Sequence, residues 1–139
     1  MGFDLNAPVI PGRSAAGVQL RQSINRVLES NNPTDIEDRG EVTVFRFGEV
    51  SLFVREGLID QIGVHGGYSG TMRGVAIGTK IAEVNRMLGP VIEDDDDNLA
   101  VGGIHGWCFE TTEFTPQFSE PSENPDATVK EMFVYLVRK

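Results

Sequence analysis

Three groups of residues are of types whose side chains or backbone could serve chemistry. The first is His105 with Cys108, since an imidazole beside a thiol is how a cysteine nucleophile is activated. Their setting argues against that use. His105 falls in the turn-like Gly102-Gly103-Ile104-His105-Gly106, while Cys108 sits between Trp107 and Phe109 in a strand-like run, where a buried cysteine behaves as a small hydrophobe. With His65 these are the only imidazole and thiol ligands in the chain, too few and wrongly spaced for a tetrahedral zinc site. The second group is Glu93-Asp94-Asp95-Asp96-Asp97-Asn98. Its charge suits calcium, but the alternating oxygen ligands, sixth-position glycine and terminal glutamate of an EF-hand loop are missing. Five adjacent carboxylates repel one another, which leaves a solvated acidic connection or a contact surface for the Lys and Arg of a partner. The third, Gly63-x-x-Gly66-Gly67-x-x-Gly70, lacks the G-x-x-x-x-G-K-[ST] order of a phosphate loop and reads as a hinge. No catalytic, metal-ligating or cofactor-binding residue is assigned on this basis, and no cofactor is expected.

Aromatic residues are the other candidates for contact. Trp and Tyr are frequent anchors of protein interfaces, although a Trp in a strand also fits a core. Trp107 and Tyr68 carry that ambiguity. Phe114 and Phe118 sit in a segment of about 111–128 that holds Pro116, Pro121 and Pro125, so the segment is expected to be a long exposed loop. Its two phenylalanines either pin that loop down or face a partner. The partner-binding candidates are accordingly Glu93, Asp94, Asp95, Asp96, Asp97, Trp107, Phe114 and Phe118.

These residues must be held by the elements around them, and the chain shows an internal echo. Gly17-Val18-x-Leu20-x-x-x-Ile24-x-x-Val27 recurs as Gly74-Val75-x-Ile77-x-x-x-Ile81-x-x-Val84, with apolar positions at the spacing of one helical face. The second helix is stopped by Gly89-Pro90 and the first near Asn32-Pro33, because the residue before proline is pushed out of the helical region. Each helix is followed by an acidic connection (Asp35 to Asp38, and Glu93 to Asp97) and then by strand-like alternation. The runs are Val42–Phe47, Ser51–Arg55 and Leu58–Val64 in one half, and Leu99–Val101, Trp107–Glu110 and Lys130–Val137 in the other. The expectation is an α+β fold: a single domain over 1–139 made of two tandem helix-then-antiparallel-β-meander units, about 9–66 and about 71–139. Their strands would form one sheet with both helices on one face.

Ile77-Gly78-Thr79-Lys80-Ile81-Ala82-Glu83-Val84-Asn85-Arg86-Met87-Leu88-Gly89-Pro90 resembles the I-G-x-x-x-x-E-V-x-x-x-L-G-x-P helix opening of the small outer-membrane-assembly lipoproteins. The tandem arrangement is similar to that of the β-lactamase inhibitor protein family, whose two helix-plus-sheet repeats present a concave sheet face to an enzyme. The resemblance implies a scaffold that grips another protein.

Composition bounds the function. The 139 residues carry a net charge of −9, and 71–139 hold 12 acidic against 6 basic residues. That balance disfavours nucleic acid and anionic lipid and favours a basic protein partner. A lone cysteine and the absence of an export signal or an apolar run long enough to span a bilayer point to the cytoplasm. The expected function is a cytoplasmic, bacterial inhibitory protein, most concretely an immunity protein that covers the surface of a basic toxin. A structural homo-oligomer and an enzyme built on scattered carboxylates are the alternatives.

Overall fold

The computed structural model describes residues 2–93, 98–111 and 127–137. The chain opens with a small hairpin, β1 (Ser14–Ala15) and β2 (Val18–Gln19), followed by α1 (Ile24–Leu28). Four consecutive strands come next: β3 (Asp35–Asp38), β4 (Val42–Arg46), β5 (Val50–Arg55) and β6 (Leu58–His65). After α2 (Ile81–Leu88) lie β7 (Val91–Glu93), β8 (Leu99–Val101), β9 (Trp107–Thr111) and β10 (Val129–Tyr135). One eight-stranded antiparallel sheet joins them in the order β3-β4-β5-β6-β10-β9-β8-β7.

The strands lie where β-branched and aromatic residues alternate. Glu56 and Gly57 take φ of 54° and 78° between paired Arg55 and Leu58, the doubly left-handed two-residue turn that matches strand twist. One face of the sheet carries the core. Phe45, Leu52, Ile62, Val134 and Trp107 form a single row across five strands by register. Packed in the same core are Ile24 and Val27 of α1, Ile81 and Val84 of α2, and the amino-terminal residues Val9, Ala15 and Val18.

The expected α+β class of two helix-led units is corrected by these proportions. Among the described residues the chain is 44% strand and 11% helix, and its helices span 5 and 8 residues. They are short plugs over a dominant sheet. The cause lies one residue inside the periodic pattern. Arg21 at φ 73° and Gly78 at φ 95° turn the backbone out of the helical region, so Leu20 and Ile77 fall outside the helices and each helix keeps only the last two apolar positions. Two further expectations change. Asp35 to Asp38 is an edge strand and not a connection, held by Arg46 to Asp35 and Glu37 at 2.8 and 2.7 Å. The glycine-rich stretch is no hinge either: a Cβ on Gly70 would stand 1.9 Å from the Ala7 carbonyl oxygen, so the amino-terminal segment is packed against it. Tyr68, buried at 3% exposure, fixes that segment by accepting from the Ala16 N–H at 2.9 Å and donating to the Ala7 carbonyl. No helix among the described residues is long and apolar enough to cross a membrane.

Candidate functional site

Side chains alternate across a pleated strand, so the residues between the core positions share the opposite face of the sheet. Register groups them into rows. Glu110, Glu131 and His65 stand side by side on β9, β10 and β6. The next row is Cys108, Phe133, Gly63, Ser51, Arg46 and Asp35, and the third is Tyr135, Gln61, Phe53, Val44 and Glu37. Among the described residues no helix crosses this face. Arg39, Arg46, Phe53, Gln61, Glu110 and Glu131 help to line a depression of about 340 Å³ on it.

An aromatic pair forms its centre. Phe53 and Phe133 meet edge-to-face at 6.2 Å and 70°, and the Arg39 guanidinium lies 5.8 Å from the centre of the Phe53 ring. Arg39 is oriented by Glu37 at 2.8 Å, and Glu37 also accepts from Arg46. Hydrogen bonds from Arg39 and then Arg46 hold the Glu37 carboxyl down at about 2. The β3–β5 side of the face is therefore a network of matched charges.

The β9–β10 side is unmatched. Glu131 faces Glu110 directly across the strands, and like charges in that position repel. Burial first, and the Glu110 charge second, push the Glu131 carboxyl up to about 7 against the smaller pull of Lys130 and Arg46. Space for it comes from Gly63 on the neighbouring strand, where a Cβ would lie 2.8 Å from Oε2 of Glu131 and 3.1 Å from the Phe133 ring. This half of the face offers hydrogen-bond acceptors and latent negative charge beside an apolar centre, which is what a cationic side chain of a partner would use.

The residues singled out from sequence are placed differently. Trp107 as a contact residue is corrected: it is fully buried on the core face, 5.1 Å from Phe109, because β9 turns its odd positions inward. Glu93 is exposed at the end of β7. Asp94 to Asp97, Phe114 and Phe118 lie outside the described residues. His105 sits exposed in the turn before β9 whereas Cys108 is buried opposite Phe133. Among the described residues no group of three His, Cys, Asp or Glu could hold a metal ion. Sequence reasoning missed Phe53, Glu110, Glu131 and Phe133, although each is the odd residue out in an alternating strand: Phe53 lies between Leu52 and Val54, and Glu131 one residue before Met132.

No protein-family model matches the chain, and no curated protein does. Among solved structures it is similar to the uncharacterized protein yfeY from Escherichia coli, at 11% identity and a TM-score of 0.61 over 94% of this chain and 99% of that one. A cysteine-rich secretory protein from Staphylococcus aureus subsp. aureus Mu50 matches at 12% identity and a TM-score of 0.46, over 94% of this chain and 49% of the other. At 11% identity the likeness to yfeY is one of fold.

Proposed function

We propose that this chain is a cytoplasmic binding protein that holds a basic protein partner against the open face of its sheet, in the manner of an immunity protein that covers a toxin's working surface. The observation that carries the reading is the pairing of the Phe53–Phe133 centre with the unmatched Glu110–Glu131 carboxylates on a face no described helix covers. An aromatic anchor inside a polar surround is the usual composition of an interface hot spot. The overall charge of −9 would speed the encounter with a basic partner and make its rate fall with salt. A test uses the chain as bait from cells of its source, beside Phe53→Ala with Glu110→Gln. Capture of a basic protein by the parent and its loss by the double variant support the reading. Identical capture by both, or capture of acidic proteins only, would count against it.

A further inference from the structure

Independently of the open face, we infer that the cleft beside the amino-terminal hairpin binds a small organic oxyanion, a carboxylate or phosphate carried on an apolar body. The chain holds 21 acidic residues against 12 basic ones, and the arginines of the sheet and of α2 sit against carboxylates: Arg39, Arg46, Arg55 and Arg86 each form an ion pair. Arg13 and Arg21 do not, among the described residues. They stand in a stretch, 5–28, that contains three arginines and no acidic residue, so a local positive island persists in a strongly negative protein.

The structure puts that island around a cavity. Arg13, Ser14, Gln19 and Arg21 line a cleft of about 450 Å³ whose remaining walls include Ile10, Leu20 and Leu136, and that volume lies within the usual range of small-molecule sites. Two guanidinium forks with a hydroxyl and a carboxamide nearby are the donors that match oxyanion geometry, and the aliphatic walls suit an apolar remainder. The backbone beneath them is fixed. The Leu20 N–H donates to the Arg13 carbonyl at 2.8 Å, the Gly12 N–H to the Gly106 carbonyl at 3.0 Å and the Arg21 N–H to the Ile59 carbonyl at 2.7 Å. Arg21 is held at φ 73°, a conformation a long side chain rarely adopts and one that clusters at functional positions. An asparagine or glycine would fit that backbone with less strain, so the arginine side chain itself is what the position supplies.

The test is a titration of the full chain with phenyl phosphate, benzoate and inorganic phosphate, followed by NMR of backbone amides and arginine Nε–H groups. Phenyl phosphate or benzoate should give saturable shifts confined to residues 10–14, 19–21 and 136, and the stronger of the two identifies the oxyanion. Inorganic phosphate should bind roughly tenfold more weakly for want of an apolar body. Arg13→Gln with Arg21→Asn should weaken binding by at least roughly tenfold while Asn keeps the left-handed backbone; if the pair fails to fold, exposed Arg13→Gln alone should weaken it severalfold. Absence of saturation with all three probes, or equal binding by parent and variants, overturns the inference.

Discussion

Replacing Glu131 by Gln separates the carboxyl's charge from its shape, and its effect on stability should depend on pH with a defined sign. Burial and the facing Glu110 raise Glu131 from 4.5 to about 7, so between those values the folded chain binds more protons than the unfolded one. The contribution of Glu131 to stability is therefore fully present below about pH 4.5, falls as the pH rises through 7, and is lost above that. Undiluted, the shift corresponds to about 3 kcal/mol at about 1.4 kcal/mol per pH unit. Glu131 is only partly buried, and solvent screening scales this to about 1–2 kcal/mol. Gln imitates the protonated acid, so Glu131→Gln should match the parent near pH 4 and exceed it by about 1–2 kcal/mol near pH 8. In urea unfolding this is a midpoint shift of roughly 0.5–1 M at an unchanged slope. Parallel stability curves for the two proteins between pH 5 and 8, or a less stable variant at pH 8, would refute the buried, repelled carboxyl.

Three other outcomes follow from packing and geometry. Ile81→Ala removes a fully buried side chain that plugs α2 into the core and should cost about 2–5 kcal/mol in chemical denaturation. Gly70→Ala places a methyl 1.9 Å from the Ala7 carbonyl oxygen; backbone cannot yield cheaply there, and a loss of at least about 2 kcal/mol is expected, with the amino-terminal segment showing faster amide exchange. Cys108, buried opposite Phe133, should react with a thiol reagent at neutral pH far more slowly than an exposed cysteine and quicken only with denaturant.

Six strand runs were legible from their β-branched, aromatic and aliphatic residues: the run over Ser51–Arg55 became Val50–Arg55, and that over Lys130–Val137 became Val129–Tyr135. What the residues do not display is how far the helices extend. The helical spacing from Leu20 and Ile77 is genuine, yet the left-handed backbone at Arg21 and Gly78 removes its first position, and nothing in an arginine announces positive φ. The edge strand Asp35 to Asp38 was hidden for a different reason. Its charges are stabilised by Arg46, eight residues beyond its end in sequence and adjacent only once β3 and β4 pair, and acidic side chains also protect a sheet edge from further pairing. The candidate face was readable in principle. Sorting β5, β6, β9 and β10 into odd and even positions separates Phe53, Glu110, Glu131 and Phe133 from the core, but their juxtaposition depends on the β6–β10 and β9–β10 registers, which no local pattern fixes.

The central claim, that the open face binds a basic partner, is tested most directly by binding kinetics with the captured partner at low and high salt. For the parent, association should slow steeply with salt; Glu110→Gln should lower the low-salt association rate and flatten that dependence, while Phe53→Ala should mainly speed dissociation, by roughly tenfold or more. Rates unchanged in both variants would place the partner elsewhere on the molecule and contradict the account.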